Sequence, residues 1–292
     1  MSIPEPNLQA LIALLSETQA EIVEAVRLKL IQLGREAIPA LQAAASSHAD
    51  PKVRVEASVV LERIRLEDVG RLWGQVAQTA DPGVDLEKGV FLLAKVPYPE
   101  LNPTLYSEQL DDFANRLRPR LKAGLSPKQQ LGVLNRFLFR EQRFQGNWND
   151  YFDPENSFLN RVMDRKLGIP ISLSVLYLLL AQRLELNVLG AGIPGHFMVK
   201  YQDPSMEIFV DPFNEGRFLS RGECIQFIIE AGYPYQAAFL EGVGSREILA
   251  RMLRNLILIY VDRHEETLER TFSRFLDLLY GPEGPDVLGG PR

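Results

Sequence analysis

Apolar residues recur at helical spacing from Glu21 to Gln78, as Ile22, Val23, Val26, Leu30 and Leu33, then Ile38 and Leu41, then Val53, Val55, Val59, Val60 and Ile64. Gly34 and the pair Asp50 and Pro51 interrupt the run. Asp50 is placed to cap a helix whose first position is Pro51, where a missing N–H costs nothing. The pattern predicts helix, turn, helix, turn, helix. Further helices are expected over 86–93, 105–121 and 129–140, bounded by Pro97, Pro99, Pro103 and the pair Ser126 and Pro127.

The texture changes between Phe144 and Phe158. QGNWNDYFDPENS is dense in Gly, Asn, Asp and aromatic residues, which favour side-chain-to-backbone turns and a loop pinned by rings. A loop of that length inside a compact domain is usually functional. A short helix over 157–166 follows, then one from about Pro170 to Leu186 that is apolar all round and therefore central. NVLGAGIPGHFMVKYQDPSMEIFVDPF reads as strands with a hairpin turn at Asp203–Met206. The segment from Arg246 to Tyr280 returns to helical spacing, broken near His264–Glu266. Helices lie before and after the run of strands, so the chain is helix-rich. The expected divisions are a helical cap over 1–80, a helical subdomain over 81–143, the core over 144–242 and a helical hairpin over 243–292.

The hairpin carries the sharpest inference. A turn across Asp203–Met206 sets Met198 opposite Asp211 and Val199 opposite Val210. His196, Met198, Lys200, Phe209 and Asp211 then share one face, and Phe197, Val199, Tyr201, Ile208 and Val210 the other. His196 and Asp211 become diagonal neighbours, so the carboxylate can take an imidazole N–H and fix its tautomer. That is the orienting half of a nucleophile, His and Asp triad. A structural His beside a DPF turn is the alternative.

Gly192, Pro194 and Gly195 precede the histidine, where small or φ-fixed residues let a ligand backbone approach. With Asn147, Trp148, Tyr151 and Asn156 of the aromatic loop, they are the candidate substrate-binding residues.

Composition narrows the classes. A net charge of −6 over 292 residues offers no broad attraction for phosphate backbones or anionic lipid, so neither nucleic acid nor membrane is an expected partner. The longest apolar run, Val175 to Ala181, is far short of the roughly 20 residues a membrane-spanning helix needs. The single cysteine, Cys224, cannot form an internal disulfide, and MSIPEPNLQA lacks the order of an export signal, so the expected location is the cytoplasm. Cys224 at a helix start admits a lowered thiol pKa, but Ile225, Phe227 and Ile228 around it favour a buried, inert thiol. His48 and His264 stand far from other ligand types, so no metal site and no cofactor are expected.

The strings DYFDPENSFLNRVMDRKLGIPISLSVLYLLLAQRL, GIPGHFMVKY, VDPFNEG and RMLRNLILIY, in that order, resemble the bacterial SirB-type family of transglutaminase-like proteins. The resemblance implies a papain-like α+β core with a central helix packed on an antiparallel sheet. In active transglutaminases a Cys starts the central helix, the His sits on the next strand and the Asp on the strand after. The matching positions for the last two are His196 and Asp211. Pro170 falls where the Cys would be, and Ser172 is the nearest hydroxyl, so thiol chemistry is excluded there.

Ser172 is thus the candidate nucleophile if the chain is an active hydrolase or acyl-transferase. Its other reading is a hydroxyl satisfying free N–H groups in a first helical turn. Ahead of the core, ADPKVRVEASVVLERI resembles the second half of a HEAT repeat, whose stacked helices form surfaces suited to proteins. The functional expectation is a non-catalytic binding or regulatory module for a protein or peptide.

Overall fold

The computed structural model describes residues 5–280. The ends of two expected divisions, residues 1–4 and 281–292, lie outside the described residues. The chain forms two compact units, Met1–Leu72 and Trp73–Arg292.

The first unit is helical: α1 (Glu5–Ala13), α2 (Ala20–Leu33), α3 (Ile38–Ser47) and α4 (Pro51–Gln78), the last running on into the second unit. The apolar stripes meet in one core containing Leu15, Val26, Leu30, Leu41, Val53 and Val60. Asp50 starts α4 by accepting the Lys52 N–H at 2.8 Å. Gly34 ends α2 at φ +57, where a side chain would strain the backbone. Helix α1 lies ahead of the periodic run and is not anticipated by it.

The second unit opens with α5 (Leu86–Lys95), α6 (Pro103–Leu117) and α7 (Pro127–Asn135), capped by Asp85, Asn102 and Ser126. A π-helical turn, Arg136–Glu141, prolongs α7. The aromatic loop then begins at β1 (Gln145–Gly146), which pairs in parallel with β2 (Leu167–Gly168). Between them lies α8 (Leu159–Arg165), and α9 (Pro170–Arg183) follows, its side chains buried from Pro170 to Ala181.

The main sheet contains β3 (Val188–Ala191), β4 (Met198–Gln202), β5 (Glu207–Asp211), β6 (Arg217–Leu219) and β7 (Gly242–Val243). Its order is β6-β5-β4-β3-β7, antiparallel throughout. The hairpin register is the one the pattern predicts, with Val199 opposite Val210 and Lys200 opposite Phe209. Asp203 fixes the turn by accepting the N–H groups of Ser205 and Met206. Helix α9 packs on β3 and β4. Met198, Phe209 and Leu219 pack with Cys224 and Ile228 of α10 (Arg221–Glu230).

The remaining helices are α11 (Ser245–Asp262) and α12 (Glu266–Tyr280), parted where His264 takes φ +56. Trp73 stacks on Phe275 at 5.1 Å and donates its indole N–H to the Phe275 carbonyl at 2.8 Å. Helices on both sides of an antiparallel sheet make the fold α+β. Among the described residues no helix is long and apolar enough to cross a membrane. None of their His, Cys, Asp and Glu side chains form a group of three or more fit to hold a metal ion.

Candidate functional site: a buried His and Asp pair beside an aromatic loop

Ile193, Pro194, Gly195 and His196 form a tight turn leading into β4. The His196 N–H returns to the Ile193 carbonyl at 3.2 Å, Pro194 supplies the fixed φ of the second position, and Gly195 takes φ +72 at the third. The turn presents the imidazole to the end of β5. His196 Nε2 lies 2.9 Å from Asp211 Oδ1, both residues being buried.

Asp211 does two jobs. As the cap of the short 3-10 turn Pro212–Asn214, its Oδ1 also accepts the N–H groups of Phe213 at 3.1 Å and Asn214 at 3.2 Å. Its Oδ2 accepts the Asn214 side-chain amide at 2.6 Å. Burial pushes the carboxyl up, but the hydrogen bond and charge of His196 and the bonds from Asn214 outweigh it and hold Asp211 below the ordinary carboxylate range. Nδ1 of His196 has no hydrogen-bond partner among the described residues. The ring stands 5.9 Å from that of Phe213 and 5.4 Å from that of Phe227.

Phe213 joins this pair to the aromatic loop. Trp148 lies 4.4 Å from its ring and Tyr151 6.0 Å. The close approach requires Gly146, since a Cβ there would stand 2.6 Å from the Phe213 ring. Gln145, Gly146, Trp148, Phe213, Asn214 and Glu215 line a pocket of about 280 Å³. Trp148 is 68% exposed and Phe152 72% exposed, so neither ring is buried in the loop's own packing.

Asn147 and Asn156 are buried and tie the loop together. The Asn147 amide donates to Asn156 Oδ1 at 3.0 Å, and the Asn156 amide donates to the Asp150 carbonyl at 2.6 Å. They act through the loop's shape, whereas Trp148 and Tyr151 face Phe213.

At the start of α9, Pro170 is the first helical residue. Ser172 Oγ accepts the Ile169 N–H at 3.0 Å and donates to the Asn156 carbonyl at 2.5 Å, with the Ile169 carbonyl at 3.2 Å as a second acceptor. His196 is not among its partners. Ser174 Oγ donates to the Phe197 carbonyl at 3.3 Å. Cys224 is buried on the α10 side of the sheet, and burial, with smaller effects of Glu223, Glu207 and Asp211, pushes its thiol up to about 12.

The structure therefore brings together His196, Asp211, Gly195, Trp148 and Tyr151, and leaves the Ser172 hydroxyl committed to backbone groups. Sequence reasoning missed Phe213, Phe227 and Asn214. Asp-Pro-Phe-Asn after a strand is itself a signal for an Asp that caps a turn, and it would have found Asn214.

A central helix on an antiparallel sheet, with a His entering one strand and an Asp ending its neighbour, is the arrangement that the transglutaminase-like resemblance implies. The family model of the transglutaminase-like superfamily matches residues 104–254. A UPF0162 protein of Xylella fastidiosa strain 9a5c is 32% identical over 224 residues, covering 74% of this chain and 79% of its own. Human F-box only protein 21 is 32% identical over 137 residues, covering 44% of this chain and 21% of its own. A UPF0162 protein of Vibrio cholerae is 26% identical over 208 residues, covering 69% and 76%. No solved structure matches. The chain belongs to the transglutaminase-like superfamily.

Proposed function

We propose that this protein is a non-catalytic member of its superfamily, of the SirB type, in which the cleft around His196 and Asp211 binds a peptide or protein segment. The observation that carries the reading is the start of α9. Where the resemblance puts a catalytic Cys there is Pro170, and the nearest hydroxyl, that of Ser172, is held by Ile169 and Asn156 instead of by an imidazole. A serine becomes nucleophilic only when a positioned base takes its proton. Among the described residues no hydroxyl hydrogen-bonds to the His196 ring.

Exposed rings at the cleft mouth support binding. Trp148 and Phe152 offer apolar area beside buried polar groups, the composition that carries most of the energy in protein interfaces. The first unit, as a HEAT-like extension, would supply partner surface of its own, and the expected location is the cytoplasm.

The test is labelling of the full chain with a fluorophosphonate and an acyl-ester probe, in parent, Ser172→Ala and His196→Ala forms. No labelling above a heat-denatured control is expected. Labelling of the parent that disappears in both variants would overturn the reading and favour a serine hydrolase or acyl-transferase.

A further inference from the structure

Arg251, on α11, sits against the turn that carries His196. Its Nη2 donates to the Ile193 carbonyl at 2.6 Å, and its guanidinium carbon lies 5.4 Å from the centre of the Phe197 ring. A Cβ on Gly192 would come within 3.7 Å of its Nη1. Among the described residues, no carboxylate pairs with it. Glu247, one turn earlier on α11, is committed elsewhere, with Oε1 on Arg254 Nη1 at 2.9 Å and Oε2 on the Tyr280 hydroxyl.

The other partly buried arginines of the second unit are compensated. Arg183 pairs with Glu87 at 2.8 Å and Asp111 at 2.6 Å, and Arg246 with Asp81 at 2.9 Å. A guanidinium has five N–H donors, and withdrawing it from water without an anion is costly. Burial lowers the pKa of Arg251, as expected of a cation short of a counter-charge, while Glu247 and the Tyr151 phenol act weakly the other way. Tyr151 belongs to the aromatic loop and Tyr233 lies against Gly195, its hydroxyl 3.8 Å from where a Cβ would stand. Among the described residues, the guanidinium without a paired carboxylate is therefore the one against the turn that carries His196.

We infer that Arg251 is a subsite of the cleft that takes a carboxylate of the bound peptide, either its C-terminus or an Asp or Glu side chain. A planar guanidinium is suited to this because it can meet both carboxylate oxygens at once. The inference rests on the reading of the cleft as a peptide site.

The test uses three pools of N-acetyl hexapeptides: one with free C-termini and no acidic residue, the same pool amidated, and an amidated pool with one internal Glu. Equilibrium dialysis against the full chain measures retention. At least one carboxylate-bearing pool is expected to be retained about 10-fold or more over the neutral amidated pool, the worth of one charge-assisted hydrogen bond, and the favoured pool identifies the source of the carboxylate.

Arg251→Gln, which keeps an amide for the Ile193 carbonyl but no charge, is expected to abolish that preference. Arg251→Lys keeps the charge without the planar fork and is expected to retain part of it. His196→Ala is expected to weaken all pools without removing the preference. Equal retention of all pools by the parent, or a preference undiminished in both Arg251 variants, would overturn the Arg251 assignment while leaving His196-dependent binding intact. Retention of no pool would overturn both readings.

Discussion

Asp211→Ala separates a carboxylate that merely orients an imidazole from one that also holds the fold. The wild-type carboxylate takes four donors: His196 Nε2, the N–H groups of Phe213 and Asn214, and the Asn214 amide. Truncation removes a cap, about 0.5–2 kcal/mol, and strands donors at a site that is 3% exposed, at about 1–3 kcal/mol for each that water cannot reach. The expected loss is about 3–5 kcal/mol, the range for breaking a buried pair by removing one partner. His196→Ala removes only one of the four bonds and should cost about 2 kcal/mol.

Urea unfolding followed by the fluorescence of Trp73 and Trp148, both in the second unit, measures each variant, and the double variant gives the coupling. The pH dependence has a definite sign. Since Asp211 is held below its ordinary value, the unfolded chain takes up the proton first, at about pH 4, and the stabilisation by this carboxylate is present above that pH and fades below it. The gap between parent and Asp211→Asn should therefore shrink as pH falls from 5 to 3. An Asp211→Ala protein within about 1 kcal/mol of the parent, or a gap that widens on acidification, would refute the assignment of Asp211 as a structural cap.

Ser172→Ala should lower stability by about 1–3 kcal/mol, because it leaves the buried Ile169 N–H and Asn156 carbonyl without their partner; an unchanged urea midpoint would contradict the role given to that hydroxyl. Gly216→Ala should cost about 2–4 kcal/mol, since the backbone there takes φ +76 and a Cβ would stand 2.5 Å from Asn135 Cγ; measured stability near the parent's would be incompatible with that packing. Cys224 should resist iodoacetamide at pH 8 in the native protein and react on unfolding. With its thiol raised to about 12 by burial, its contribution is complete below the ordinary thiol value and is lost as pH rises from about 9 toward 12, so alkylation of the native chain at pH 8 at the denatured rate would sink the assignment.

The helices and the hairpin were legible because their signals are long or redundant. Four cross-strand pairs of β4 and β5 follow from one turn at Asp203–Met206, and the caps at Asp50 and Ser126 begin helices where the sequence places them. The strands β1, β2, β6 and β7 hold two or three residues each, too few to show a period of two. The register brings His196 and Asp211 to one face, but it does not say what faces the imidazole. Phe213 reaches it because Gly146, 67 positions earlier, leaves room for the ring, an arrangement no local pattern encodes.

The same geometry bears on what a His and Asp pair signifies in this chain. Asp211 would stay ionised and fixed without any reaction to serve, because three of its four donors belong to the turn that follows it. The pair alone is thus weak support for catalysis, and a serine locked between Ile169 and Asn156 is weaker still. Among the described residues, the Nδ1 edge of His196 has no hydrogen-bond partner, and Arg251, though it meets the Ile193 carbonyl and the Phe197 ring, has no paired carboxylate. Both groups adjoin the Ile193 to His196 turn, and the proposed peptide would supply what each is without there: a carbonyl or N–H for the imidazole, a carboxylate for the guanidinium. Free hydrogen-bonding capacity on one side of a turn is what the proposed peptide site would use, and on that proposal the ligand's acidic group would lie on the α11 side of His196.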